Sequence, residues 1–485
     1  MTTLKKTSMI LAAALLLPGC AKFLDVNPKG EVFDADMFTS GEGFEDALYG
    51  IYNELSNTQS LYGAYLHWIP EACSQNVTCA GDYQIGNMGA GDWYTTGPTG
   101  VREAIWKNAY TTVNHINNIV AHCDDDAVQG FRHIGLYKGE ALALRALVHF
   151  ELVRLFAVPD WAPADEKAKA IPYVEKYSFD ITPFSSLDGA YGKIVADLQE
   201  AERLLDEDTG LVPAVRTNSA TGFTDARITH LNLYAVQALL ARIYWTRGDL
   251  ENAAIYAQKV IDSKKFTFRP ASAFVQPDNG TLDMRETIFG LYSRPGSTSY
   301  IGYNRNKYRL GGSSSQTSFD LASDWKSLYE NASASRSDYR LSAWFSEGDQ
   351  TLIKLVNRVY YADMTSSYGG SNIVGCNILR IPEMYYIMAE YFLSSDPSRA
   401  ADYFDAVTTT RGRDALSETG ERLTYDMLFR ERRREFYGEG FTWHEMRRGQ
   451  MDITTFSGDV LDGRSTATWT LPVPDAEDEN RNNVN

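Results

Sequence analysis

Apolar residues recur at helical spacing along most of the chain, and this pattern predicts a mainly helical, all-α fold. The first predicted helix begins near Gly43 and presents an apolar face made of Phe44, Leu48, Ile51, Tyr52 and Leu55. The same spacing predicts helices over 101–120, 136–156, 187–205, 231–245, 250–261, 381–413 and 425–447. The helix over 136–156 is apolar nearly all round, which indicates burial on every side.

Two of the predicted helix pairs share a weak internal repeat. It consists of Ala241, Tyr244 and Ala253 in one pair, and of Ala389, Phe392 and Ala401 at the same offsets in the other. Small residues around an aromatic one match the tetratricopeptide helix–turn–helix pattern, because alanine lets the backbones of paired helices approach closely. Any antiparallel helix pair can carry so short a match, so that alternative stays open.

Two long segments, 57–100 and 264–375, lack this periodicity and are rich in Gly, Asn, Ser, Thr and Tyr. Such a composition favours irregular backbone and loops. A compact domain rarely carries loops of this length unless it uses them, and binding sites often lie on loops that a rigid scaffold positions. We therefore predict a helical scaffold with two loop-rich insertions that form a ligand-binding face.

The N-terminus has the features of an exported, lipid-anchored protein. Lys5 and Lys6 precede an apolar stretch over 10–17, and Leu17-Pro18-Gly19-Cys20 resembles a bacterial lipobox. We expect a signal peptide over 1–19 and a lipid on Cys20; the alternative is an ordinary signal peptide with a chance cysteine. After residue 20 no stretch of about 18 apolar residues occurs, so no transmembrane helix is expected.

Charge and motif content argue against several functions. The net charge of −17 disfavours nucleic acid or anionic lipid as the main partner. His444-Glu445 begins like a zinc-protease motif, but Arg448 stands where the second histidine would be, so we predict no metal site and no cofactor. The chain has no nucleophile elbow and no P-loop, and we predict no catalytic residue and no enzymatic activity. A Cys73–Cys79 disulfide is compatible with export, but the spacing does not establish it.

The basic run 430–434 invites a phosphate-binding interpretation. Glu431, Glu435 and Glu439 follow at helical spacing and can pair with its arginines. We therefore predict a structural ion-pair network here instead of an anion site.

The insertions carry candidate ligand-binding residues, because aromatic ring faces and short polar side chains suit a sugar. They are Asp82, Tyr83, Asn87, Trp93, Tyr94, Tyr300, Tyr303 and Asn304. Trp93 is the predicted main anchor, since it has the largest ring in a glycine-rich and therefore exposed loop, and Tyr292 and Tyr308 lie in the second insertion. The alternative is that these aromatics pin their own loops to the scaffold; Trp68 is assigned to the core.

Six segments, in order along the mature chain, resemble the SusD/RagB family of outer-membrane lipoproteins. They are 20–28 (CAKFLDVNP), 139–146 (GEALALRA), the helix pair 238–262, 380–390 (RIPEMYYIMAE), 430–436 (RERRREF) and 474–480 (PDAEDEN). Ser74-Gln75-Asn76 departs from the S-D-N that many members carry, which puts only local detail in doubt.

The resemblance implies one SusD-like domain over 20–485, with four tetratricopeptide-like units. It also implies a nutrient-binding lipoprotein of the outer membrane that delivers a ligand, most simply a glycan, to a SusC-like TonB-dependent transporter. A peptide ligand, a protein-assembly lipoprotein and a glycoside hydrolase are the alternatives. The sequence does not decide which glycan is bound or whether calcium is.

Overall fold

Helices form where the apolar periodicity predicts them, over the part of the chain that the structure describes. The computed structural model describes residues 34–57, 60–78, 84–214, 222–225, 227–275, 283, 285–292, 320–330, 337–346, 351–352, 354 and 375–477. The signal peptide, Cys20 and Cys79 lie outside these residues. No helix within them is long and apolar enough to cross a membrane.

The scaffold consists of long helices joined by short turns. They are α1 (Gly41–Ser56), α2 (Thr96–Cys123), α3 (Ile134–Phe156), α4 (Leu187–Leu204), α5 (Leu233–Thr246), α6 (Leu250–Asp262), α7 (Ile381–Phe392), α8 (Pro397–Thr408) and α9 (Tyr425–Glu435). Each helix from α1 to α7 packs against the next one, and α7 also packs against α9. The all-α prediction is therefore confirmed, and α3 is buried almost along its whole length, as its sequence indicated.

The two repeated segments form the expected helix pairs. In the first pair, α5 and α6 turn at Gly248, which has a φ of +78°, and the Asp249 carboxylate caps α6 by accepting from Asn252 N at 3.1 Å. Ala241 and Ala253 are fully buried between the two helices. The absence of larger side chains at these positions lets the helices pack closely.

Two segments with continuous helical periodicity are each divided in two, and for the first of them the repeat already indicated a helix pair. The segment 381–413 breaks between α7 and α8, where Asp396 caps the new helix. The segment 425–447 breaks after Glu435 and resumes as Thr442–Arg448. The turn between them includes Gly440, whose φ is +72° and whose added Cβ would lie 2.9 Å from Leu66 O. Periodicity alone predicted a single helix because the apolar spacing continues through the turn.

The first insertion is more helical than its composition suggested, so the expectation of irregular backbone throughout 57–100 is wrong. It contains short helices at Leu61–Tyr65 (a π-helix), Trp68–Cys73 and Ile85–Gly89, and α2 already begins at Thr96. Trp68 is fully buried, as predicted. Cys73 is a buried free thiol. Burial of apolar side chains outweighs the low helix propensity of this segment.

The remaining elements are short. The strands are β1 (Val77–Thr78), β2 (Thr287–Tyr292), β3 (Asp320–Leu321), β4 (Phe345–Ser346), β5 (Thr351–Leu352), β6 (Gly375–Arg380), β7 (Ile453–Thr454) and β8 (Val460–Leu461), paired antiparallel as β1–β3, β2–β6, β4–β5 and β7–β8. The short helices are Asp34–Met37, Asp208–Leu211, Ala271–Val275, Trp325–Tyr329, Tyr339–Trp344 and Leu416–Thr419.

A second hydrophobic cluster lies beneath the described part of the second insertion and joins it to the scaffold. Its large members are Trp68, Phe274, Trp325, Tyr329, Trp344, Phe345 and Tyr437. Buried ion pairs reinforce the junction, because Arg340 Nη1 donates to Glu431 Oε1 at 2.7 Å and to Glu435 Oε2 at 2.9 Å. The insertion is thus attached to α9 by both apolar and charged contacts.

The arginine run of α9 forms the structural network that the sequence predicted. Within the helix, Arg430 pairs with Asp426 and Arg434 pairs with Glu431. Glu435, in contrast, accepts from the guanidinium groups of Arg340, Arg380 and Arg411, which all come from outside the helix. The expectation that Glu435 and Glu439 would pair with the run itself is wrong, because those arginines point to other partners.

Candidate ligand-binding surface

Hydrogen bonds of the Gln75 side chain hold the predicted ligand-binding loop, segment 84–95, in place. This residue has a left-handed backbone, with a φ of +60°. Its Nε2 donates to Gly89 O at 2.7 Å and to Ala72 O at 2.9 Å, while its Oε1 accepts from Phe456 N at 3.0 Å. One side chain therefore links segment 84–95 to the hairpin β7–β8.

The loop ends in a hydrogen-bonded turn that leads into α2. Asp92 Oδ1 accepts from Tyr94 N at 3.0 Å and from Thr95 N at 3.2 Å, and Asn87 Nδ2 donates to Thr95 Oγ1 at 3.1 Å. Burial would raise the pKa of Asp92, but the N–H groups of Tyr94 and Thr95 hold it below its usual range. Asp92 and Asn87 thus have a structural task in fixing the turn.

Trp93 is buried, so the expectation that it is exposed is wrong. Its side chain is 5% exposed and its Nε1 donates to Ala467 O at 3.1 Å. Gly91, two positions before Trp93, explains the error: it has a φ of +79°, and a Cβ there would lie 2.9 Å from Leu461 Cδ1. Glycine at this point permits close approach to β8, and it does not mark a solvent-exposed loop.

Tyr94 is the aromatic residue that this loop offers to solvent. It is 76% exposed, directly before α2, while its backbone is held by Asp92. Thr99 Oγ1 also donates to Tyr94 O at 3.4 Å. An exposed ring on a fixed backbone can stack on a ligand with little loss of backbone freedom.

Only some of the other aromatic and polar candidates lie in the part of the chain that the structure describes. Tyr292, at the end of β2, is 52% exposed. The predictions for Asp82, Tyr83, Tyr300, Tyr303 and Asn304 concern residues outside the described ranges. The ligand-binding role of all eight candidates therefore stays a prediction.

Beside Gln75 lies a cavity of about 430 Å³, lined by both polar and apolar side chains, that the sequence did not reveal. In its wall, Arg433 Nη1 donates to Asp324 Oδ2 at 2.8 Å, and Arg433 Nε donates to Asn76 Oδ1 at 2.8 Å. Phe456, about half exposed, lies at its edge. No sequence pattern could have found this arrangement, because Asp324 and Arg433 are 109 positions apart.

Two buried carboxyl groups nearby have raised pKa values without facing this surface. Burial raises the pKa of Glu71 and of Glu445 to about 7. Both side chains are fully enclosed, and Glu71 accepts from Gly440 N at 2.7 Å. Their perturbation follows from desolvation within the scaffold. Among the described residues, no cluster of three or more His, Cys, Asp or Glu side chains is arranged to hold a metal ion.

Known proteins match most of the length of this chain. Two family models match it: "Starch-binding associating with outer membrane" over residues 22–245 and "SusD family" over residues 298–483. A relative from Formosa agariphila, SusD-like protein P2, is 24% identical over 98% of this chain and 97% of its own length.

Solved structures share the fold. A SusD superfamily protein from Bacteroides thetaiotaomicron superimposes with a TM-score of 0.73 at 20% identity, covering 92% of this chain and 98% of that one. A structure described as a laminarin-binding SusD-like protein has a TM-score of 0.67 at 18% identity, covering 90% of this chain and 97% of that one. The sequence matches in both halves and the shared fold agree with the six segments in which the resemblance was found. The chain belongs to the SusD/RagB family.

Proposed function

We propose that this chain is a carbohydrate-binding lipoprotein of the outer membrane that presents a glycan to a SusC-like TonB-dependent transporter and catalyses no reaction. The observation that carries the proposal is Tyr94, an exposed ring on a backbone fixed by the Asp92 turn and by buried Trp93. Asn87 and Thr95 place amide and hydroxyl groups in the same turn. The matched family description and the printed name of the laminarin-binding structure support a glycan as the ligand class.

Tyr94 replaces Trp93 as the main stacking residue in this proposal. A sugar can stack only on a ring face that solvent reaches, and the Trp93 indole is enclosed. The loops around 300–304 and 82–83 remain proposed contributors, with Tyr300, Tyr303, Asn304, Asp82 and Tyr83 as their candidate residues. The cavity at Arg433 is a further proposed contributor, because Gln75 in its lining donates to Gly89 O of the same loop.

The test uses the chain over 20–485 with Cys20→Ser, so that no lipid is attached. Starch, laminarin and their oligosaccharides are titrated calorimetrically, and sugar release is followed in parallel. Binding of at least one glucan without release is expected. Tyr94→Ala should weaken binding by roughly 2- to 12-fold, the equivalent of a stacking contact of about 0.5–1.5 kcal/mol.

Ile255→Ala is the matched control, since Ile255 is also exposed but lies on α6, away from the loop. No binding to any glycan in a wider array would contradict the proposed ligand class. Release of sugar at low enzyme concentration would contradict the absence of catalysis. An unchanged dissociation constant for Tyr94→Ala would remove this residue from the site.

The lipid anchor is tested separately. Cys20→Ala protein, expressed without the transporter and behind a signal peptide that is cleaved without lipidation, should appear in the soluble fraction, because no described helix is long and apolar enough to cross a membrane. Retention of this variant in washed membranes would contradict the anchor at Cys20.

A further inference from the structure

A second concavity, separate from the loop that carries Tyr94, runs along the middle of α2. It has a volume of about 700 Å³, within the usual range of ligand sites. Its walls are the face of α2 from Glu103 to His115, the loop 172–182, and the C-terminal segment at Pro474 to Glu477. We call it the α2 groove.

The loop wall of the groove is anchored at its base. Pro172 bridges to Phe184, so that the two ends of the loop run antiparallel. Tyr110 Oη donates to Pro172 O at 2.8 Å, and Asn117 Nδ2 donates to Val174 O at 3.0 Å. Because α2 itself supplies both donors, the distance between the helix and the loop is fixed before any ligand arrives.

The tip of the same loop exposes apolar side chains to solvent. Phe179 is 102% exposed, and Tyr177 and Ile181 are each about half exposed. These residues alternate along the segment 177–181, with Ser178 and Asp180 between them. Exposed apolar side chains grouped beside a concavity mark a surface that binds something.

The lining combines ring faces with short polar groups. Tyr110 is half-buried in the floor, where the buried Trp106 supports it from beneath with ring centroids 4.9 Å apart, and the exposed Phe179 forms the lip. The polar lining residues are Glu103, Lys107, Thr111, Asn114, Ser178, Asp180 and Thr182. A surface that is wholly apolar would suit a lipid or a packed helix, whereas this mixture suits a chain that has both apolar ring faces and hydroxyl groups.

One exposed face of α2 leads from the start of the helix, near Tyr94, to the α2 groove. Exposed positions recur along α2 at Thr96, Gly100, Glu103, Lys107 and Thr111, which is the spacing of a single helix face. Thr96 follows Tyr94 closely, and Lys107 is 11 positions further on, about 17 Å at 1.5 Å per residue. An extended ligand can therefore contact Tyr94 at one end and the groove at the other.

We propose that the α2 groove is a second carbohydrate subsite that binds a distant stretch of the same glycan chain that contacts Tyr94. This inference rests on the proposed function and narrows it: the preferred ligand is a long glycan chain, and a mono- or disaccharide reaches only one subsite. Two linked contacts bind more tightly than either alone, because the second one forms at a high effective concentration. Affinity should therefore rise steeply once the oligosaccharide spans both subsites.

The test compares short and long members of one glucan series, using starch and laminarin oligosaccharides and their parent polysaccharides as probes. Phe179→Ala is the main variant, because a fully exposed side chain contributes little to folding. It should weaken binding of long chains by about fivefold, the effect of one stacking contact, and leave disaccharide binding unchanged. Tyr94→Ala should weaken both, and Phe179→Tyr, which keeps a ring, should behave like the wild type.

Several results would overturn the inference. Equal affinity of Phe179→Ala and wild type for every chain length would leave the glycan-binding function standing and remove the groove from it. Equal weakening for short and long chains would show that the groove is not a separate subsite. If the wild type binds no glycan of any length, the proposed function fails and the inference fails with it. Ile255→Ala again serves as the exposed apolar control.

Discussion

Replacing Trp93 by alanine should destabilise the protein strongly, whereas the same change at its neighbour Tyr94 should not. The Trp93 indole is 5% exposed and bonded to Ala467 O, while the Tyr94 ring is 76% exposed. Truncating a buried tryptophan typically costs about 3–5 kcal/mol, which includes the cavity left behind. An exposed side chain without such contacts contributes within about 0.5 kcal/mol.

Urea unfolding followed by far-ultraviolet circular dichroism measures both effects without relying on tryptophan fluorescence. The midpoint of Trp93→Ala should fall well below that of the wild type, with an unchanged slope if the denatured state is unaltered. Trp93→Phe keeps most of the packing and loses the N–H donor, so a cost of about 1–3 kcal/mol is expected.

The same variants separate stability from binding. Trp93→Phe should leave the glycan dissociation constant unchanged, because the ring does not reach solvent. The reasoning is refuted if Trp93→Ala costs less than about 1 kcal/mol, far below the cost of truncating a buried tryptophan. It is also refuted if Trp93→Phe abolishes glycan binding while its unfolding midpoint stays that of the wild type.

Three further predictions follow from buried groups and from glycine. Arg340→Met should cost about 3–5 kcal/mol in urea unfolding, because it removes one buried cation from the fully buried carboxylates of Asp338, Glu431 and Glu435; a cost below about 1 kcal/mol would contradict this. Gly91→Ala should cost more than about 1 kcal/mol, since the new Cβ combines a positive φ with a close contact to Leu461. Gly100→Ala, on the open face of α2, should be neutral or stabilising. Equal melting temperatures of the two variants would refute the distinction. Burial lowers the pKa of His149 to about 3, so the stability that its neutral form supports is fully present above pH 6.5 and is lost as the pH falls from 6.5 towards 3. The urea midpoint of His149→Gln should therefore drop less between pH 7.5 and pH 5 than that of the wild type. An equal drop would contradict this.

The helices could be predicted because apolar spacing is a local property. Burial of one face selects the same residues wherever the helix packs, and α1, α3, α4 and the pair α5–α6 lie close to their predicted bounds. The break after Glu435 could not be predicted, since Gly440 is required there by the backbone of Leu66, which is remote in sequence.

The candidate site was predicted less well. The sequence ranked Trp93 above Tyr94 because a glycine-rich segment was taken to be exposed, whereas Trp93 is buried and Tyr94 is exposed. Whether a ring near a glycine faces solvent depends on what packs against the loop, and here Leu461 lies against Gly91 while Trp93 donates to Ala467 O. The α2 groove and the cavity at Arg433 were not predicted at all, because their walls come from segments far apart along the chain.

The sequence by itself determined the helical scaffold, the helix-pair repeat and the family resemblance, because each is expressed in the order and spacing of nearby residues. Tertiary structure decided which aromatics are buried, which carboxylates pair with Arg340 and Arg411, and where concavities form. These depend on contacts between residues tens to hundreds of positions apart. No local pattern encodes such a contact, since burial and pairing are properties of the packed surfaces and not of either segment alone.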